Sequence, residues 1–218
     1  MNKSFNEISS LMNERYSKRF NQMGYDPKTL GWGSKEQQEF RFLKALEELH
    51  FDSPKSILDI GCGFGDLLTL LINKKMPVSY FTGLDINADL IEEAKKKWET
   101  SYISNEFKVY NLLQNPIGKP IADIGFLIGV LNLNLTDKFD NYKYSKLFIK
   151  NAFLAVNEVL VVDFLSTSIS GDYPKEEFVF YHDPVKMMEF ALTLTPNVLL
   201  KHNYDPIPQK EFILYLYK

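Results

Sequence analysis

The chain has 218 residues, a formal net charge of −3, 45% hydrophobic residues and 24% charged residues, values that suit one α/β domain with a helical extension. That charge gives no global case for a nucleic-acid partner, and the single cysteine, Cys62, excludes an internal disulfide framework and a multi-cysteine metal site, so no metal is expected. The opening Met-Asn-Lys-Ser-Phe-Asn-Glu has no apolar signal core, and no apolar run approaches the ~20 residues of a membrane span, so a cytoplasmic protein without a membrane partner is expected.

Residues 1–50 read as an N-terminal helical lid. Phe5, Ile8, Leu11, Met12, Tyr16 and Phe20 recur at helical spacing. Gly24 to Gly33 is a turn-rich break. Ser34 caps a second helix reaching about His50, with Gln37 completing a capping box and Phe40, Leu43, Leu46 and Leu49 as its apolar face. From there, residues 51–218 alternate strand and helix. Strands are expected at 57–60, 80–85, 107–110, 124–130 and 158–163. Helices fall at 65–74, from the Asn87 cap to Trp98, at 142–153, and from Asp183-Pro184 onward, with Asp as cap and Pro at the first helical position. Strands at 197–202 and 211–217 close the chain, joined by a Pro-rich loop. Alternation implies a doubly wound parallel sheet. The last linker, about nine residues, is too short for a helical crossover, so the closing pair is antiparallel.

Chemistry concentrates at Asp59-Ile60-Gly61-Cys62-Gly63-Phe64-Gly65-Asp66. A glycine loop leaving a buried strand and entering a helix lets backbone approach a ligand at the carboxyl edge of the sheet. A dinucleotide fingerprint is G-x-G-x-x-G, with a helix N-terminus facing pyrophosphate. Here the spacing is G-x-G-x-G, and Asp66 at the helix start repels pyrophosphate but suits a zwitterionic sulfonium. Asp59 adds a second carboxylate. Asp85 ends the next strand, 20 residues past Gly65, where an acid accepts from both ribose hydroxyls. Either kind of cofactor uses such a residue.

These motifs resemble those of the class I S-adenosylmethionine (SAM)-dependent methyltransferases. Tyr25-Asp26-Pro27, Leu30-Gly31-Trp32-Gly33-Ser34, Gln37, Arg41-Phe42 and the tail residues His202-Asn203-Tyr204 and Glu211-Phe212 resemble a group of small bacterial members. The resemblance implies a Rossmann-like, seven-stranded, mostly parallel sheet whose last strand is antiparallel. It implies SAM as cofactor, with Gly61, Cys62, Gly63 and Gly129 lining its site. Asp59 would hold the methionine ammonium directly or through water. Ile86 and Leu112 would sandwich the adenine, and Asn111 stands where such enzymes usually carry Asp, its carbonyl oxygen facing the adenine amino group.

The implied activity is methyl transfer to O or N of a small-molecule acceptor, by a monomer or homodimer. SAM consumption by other chemistry, such as cyclisation or use of the aminobutyl arm, and non-catalytic SAM binding are the alternatives. No Asp/Asn-Pro-Pro-aromatic signature follows the fourth strand and no second cysteine exists, which argues against DNA methylation. Candidates on the catalytic side are His202 as a base near neutral pH, Tyr16 among aromatics facing a sulfonium, and Arg41 as a fork for a carboxylate. His182 is a second candidate base, and Trp32, Tyr181 and Tyr204 are further aromatics.

Overall fold

In the computed structural model, residues 3–135, 139–169, 175–205 and 209–218 are described, with side chains from Phe5 onward. Ile57 to Ile60 form the buried end of β1 (Lys55–Ile60), the apolar run expected of a strand covered on both faces. β1 lies between β2 (Val78–Asp85) and β4 (Ala122–Leu127), parallel to both. β3 (Asn105–Val109), β5 (Val156–Leu165), β6 (Val198–Lys201) and β7 (Glu211–Tyr217) complete a seven-stranded sheet, order β3-β2-β1-β4-β5-β7-β6. β7 runs antiparallel to both β5 and β6. The Pro-rich segment before β7 lies partly outside the described residues.

The two-residue side-chain period of the strands splits the core into two layers. On β7, Phe212, Leu214 and Leu216 face one layer while Ile213 and Tyr215 face the other. Helices α1 (Lys3–Met23), α5 (Asn141–Leu154) and α6 (Pro184–Leu192) cover the first, and α2 (Lys35–Leu46), α3 (Asp66–Asn73) and α4 (Ala88–Trp98) the second. The expected caps are present: Ser34, Asn87 and Asp183 accept from Gln37, Leu90 and Val185 amides.

Three expectations shift. In α1 Ile8 and Met12 are buried but Leu11 is 59% exposed, because it falls off the i, i+4 stripe that faces the sheet. In α2 the fully buried face is Gln38, Phe42 and Ala45, with Phe40, Leu43 and Leu46 at its margins, and the helix stops at Leu46. The fourth strand ends at Leu127, because the backbone turns at Gly129 with φ 75°. No helix among the described residues is long and apolar enough to cross a membrane.

Candidate active site

The sheet order reverses between β1 and β4, so their carboxyl ends diverge and leave a crevice. The glycine loop fills its floor. Gly61 and Gly63 have φ of 76° and 52°, and the Gly61 and Cys62 amides donate to the Leu84 carbonyl at 2.7 and 3.0 Å. A Cβ on Gly61 would meet Val130 Cγ2 at 2.4 Å, so this position needs glycine for conformation and for packing. The loop then delivers the chain into α3 through Gly65, also left-handed.

One cavity gathers most of the predicted cofactor residues. Asp59, Gly61, Cys62 and Gly63 line it from the end of β1. Asp85 and Ile86 come from β2, Asn111 and Leu112 from the turn after β3, and Gly129 from the turn after β4. Ser9, Met12 and Tyr16 on α1 roof it. Asp66 is not brought there. Its carboxylate turns to Lys97 Nζ at 2.7 Å, Tyr25 Oη at 2.6 Å and Gln38 Nε2 at 3.2 Å, tying α3 to α4 and the N-terminal segment. The acids that face the cavity are therefore Asp59 and Asp85.

These two differ in their bonding. Asp85 accepts the Gly63 amide at 3.0 Å and the Asn87 amide at 2.9 Å, one on each oxygen, so it orders the loop and keeps a lone pair per oxygen for a ligand. Burial pushes its carboxyl up, and the Asn87, Gly63 and Ile86 amides pull it back. Asp59, only 5% exposed, has no such donors; burial, then Asp85 and Asp66, pushes its carboxyl up to about 8. A buried acceptor at the cavity wall with nothing donating to it fits a cationic ammonium. Asn111 is committed locally: its Oδ1 accepts the Leu113 and Gln114 amides at 3.1 and 3.2 Å and its Nδ2 donates to Ser9 Oγ at 2.8 Å. The carbonyl oxygen expected to face adenine therefore serves the chain's own turn.

A second cavity, about 580 Å³, adjoins the first and shares Tyr16, Leu30, Trp32 and Gly129 with it. Arg41 lines it but is not free. Its guanidinium stacks over Trp32 at 4.9 Å, pairs with Asp163 at 3.2 Å and contacts Glu211. The antiparallel pairing of β5 and β7 sets Leu165 opposite Glu211, which is why both carboxylates reach one arginine. Asp163 also accepts the Gly129 amide at 2.6 Å, so this ion triad holds the turn between the two cavities. In sequence, the signal for Asp163 is a carboxylate inside the otherwise apolar run of β5.

His202 lines neither cavity; its ring lies edge-on to Phe212 at 6.0 Å, and burial lowers its pKa. His182 is fully buried among Phe164, Phe180 and Tyr142, bonded to Ser145 Oγ at 2.9 Å, and burial pushes it down to about 3. Tyr181 and Tyr204 pack away from the shared wall.

Residues 51–152 match the model of a methyltransferase domain family. Over those residues the chain is similar to SAM-dependent methyltransferase domains. Trans-aconitate 2-methyltransferase of Rhodopseudomonas palustris BisA53 is 36% identical over 52 residues, which are 24% of this chain and 20% of that protein. Putative methyltransferase 235L of Invertebrate iridescent virus 6 is 26% identical over 186 residues, 81% of this chain and 65% of its own. The chain thus matches only part of the length of these relatives. Magnesium protoporphyrin IX methyltransferase from Synechocystis PCC 6803, solved with bound SAM, shares the fold with a TM-score of 0.66 at 15% identity, over 100% of this chain and 98% of that one.

Proposed function

We propose that the chain transfers the methyl group of SAM to an oxygen or nitrogen of a small molecule in the cytoplasm. The observation that carries this reading is the pair of adjoining cavities: one is walled by the glycine loop, Asp59 and Asp85, and the other has the size of a small-molecule site. SAM supplies a methyl already activated on a sulfonium, so the protein's task is to hold donor and acceptor close, aligned and dry. Asp85 would accept from the ribose hydroxyls, Asp59 would pair with the ammonium, and Ile86 and Leu112 would flank the adenine. Tyr16 and Gly129, on the shared wall, would meet the sulfur end. The match to an enzyme named for trans-aconitate supports a small acceptor. Incubation with methyl-labelled SAM and a metabolite extract tests the proposal: label in low-mass products together with S-adenosylhomocysteine is expected. Label in RNA or protein, or release of methylthioadenosine instead, would overturn it.

Asp59 links this binding to pH. Free, its carboxyl holds a proton up to about pH 8; facing an ammonium it ionises. Binding of S-adenosylhomocysteine at pH 7 is therefore expected to release a substantial fraction of one proton. Calorimetry in two buffers of different ionisation enthalpy reads this directly, and Asp59→Asn should abolish it.

Residues 1–50 would act as a lid. Beside its buried Ile8 and Met12, α1 has a polar edge: Ser17 Oγ donates to Asp89 at 2.6 Å, Asn87 Nδ2 donates to Asn13 and Ser17, and Gln114 Nε2 donates to Asn6. Such bonds exchange readily with water, each contributing about 1 kcal/mol net. Ser17→Ala is expected to speed cofactor entry and exit severalfold while changing affinity less, read by stopped-flow tryptophan fluorescence.

A further inference from the structure

The second cavity has an uneven chemistry. Its walls include Leu30, Trp32, Leu133 and Leu165, an apolar body. Its charged groups are mostly cationic: Arg15, Arg19 and Arg41 line it. Arg15, on the exposed side of α1, has no hydrogen-bond or ion-pair partner among the described residues. Arg19, one turn on, lies against the same cavity with its guanidinium on the Thr29 carbonyl at 3.0 Å and on the Lys28 carbonyl, and no acid among the described residues pairs with it. Asn132 Nδ2 is buried without a partner, while its Oδ1 accepts the Leu165 amide at 3.0 Å. Among the described residues lining this cavity, the one carboxylate is Glu176, which accepts from Gln209 at 3.2 Å.

The wall shared by the two cavities adds a constraint. Of Tyr16, Leu30, Trp32 and Gly129, only Tyr16 titrates, and burial followed by the nearby Asp85 raises its phenol further above neutrality. No histidine among the described residues lines either cavity. A hydroxyl or ammonium acceptor would need its proton removed here, and the junction offers no base suited to that. An acceptor that arrives ionised needs none.

We infer that the acceptor is a carboxylic acid with an apolar body, bound as its carboxylate by Arg15 and Asn132 Nδ2 and methylated on a carboxylate oxygen to give the methyl ester. This rests on the proposed methyl transfer. In the step, a carboxylate lone pair forms the O–CH₃ bond as the S–CH₃ bond breaks. The electron pair of the broken bond stays on sulfur, leaving a neutral thioether, and no proton moves.

The test uses the full chain saturated with S-adenosylhomocysteine and titrated with 3-phenylpropionate, its methyl ester and 3-phenylpropylamine. The acid is expected to bind at least about tenfold more tightly than either analogue, a difference of about 1.4 kcal/mol. Arg15→Glu and Asn132→Asp, which keeps the acceptor for the Leu165 amide, should each weaken the acid at least about fivefold while S-adenosylhomocysteine binds unchanged. Equal binding of amine or ester, no binding of the acid to the loaded protein, or indifference to both substitutions would overturn the inference alone. Failure of S-adenosylhomocysteine itself to bind would overturn the methyltransferase reading and this inference with it.

Discussion

Asp85→Ala is expected to weaken S-adenosylhomocysteine binding by at least about 100-fold, because two hydrogen bonds from ribose hydroxyls to a charged acceptor contribute roughly 1.5–3 kcal/mol each. The substitution also frees the Gly63 and Asn87 amides that Asp85 now holds at 3.0 and 2.9 Å, so the glycine loop loses its anchor. Asp85→Asn separates the two contributions. It keeps an oxygen for one amide but removes the charge, and its affinity should fall between wild type and alanine. Stability is expected to change little in the alanine variant, because losing a buried carboxylate whose ionisation burial opposes offsets the two unpaired amides. Calorimetric titration gives the affinities, and a thermal melt of the same samples gives the stability. An unchanged affinity in Asp85→Ala would remove the ribose assignment.

Arg41→Ala should be the most damaging substitution for stability. Asp163 and Glu211 side chains are each 1% exposed, and the arginine is the cation that compensates both. Removing one partner of such a group costs about 3–5 kcal/mol, or roughly 10 °C in Tm for a chain of this length. The pH dependence has a definite sign. Burial pushes the Glu211 carboxyl up to about 7 even with Arg41 beside it. Without the arginine it rises further, so the folded variant holds a proton that the unfolded chain loses near pH 4.5. Stability then falls as pH rises through that window. The loss relative to wild type should be smaller at pH 6 than at pH 8, and Glu211→Gln on top of Arg41→Ala should recover part of it. A thermal melt series at the two pH values checks both points.

Local signals carried the fold well. Strand and helix positions followed from apolar periodicity and caps, because each element of a doubly wound sheet satisfies its own pattern before it packs. The closing antiparallel pair followed from a linker too short for a crossover. Placing β7 between β5 and β6 did not follow, since nothing local in Glu211–Tyr217 distinguishes its two neighbours. The same gap explains the site. The placement of Asp59, Asp85 and the glycine loop around one cavity was legible because it depends on position along one strand–loop–helix unit. Asp66 sits one residue beyond that loop, and its direction is set by Lys97 and Tyr25, 31 and 41 residues away in sequence. Arg41 looked available because its two acids, Asp163 and Glu211, meet it only through sheet order. His202 stands at the end of a strand like many catalytic residues, but β6 is the sheet edge, far in order from the crevice between β1 and β4.

The glycine loop with Asp85 allowed a dinucleotide or SAM when read as sequence, and the buried Asp59 on the cavity wall suits an ammonium better than a pyrophosphate. Calorimetric titration of the full chain with S-adenosylhomocysteine and, separately, with NAD tests this most directly. One-site binding of S-adenosylhomocysteine, with release of a fraction of a proton at pH 7 and no heat from NAD, is the expected result. Binding of NAD with no binding of S-adenosylhomocysteine would contradict it.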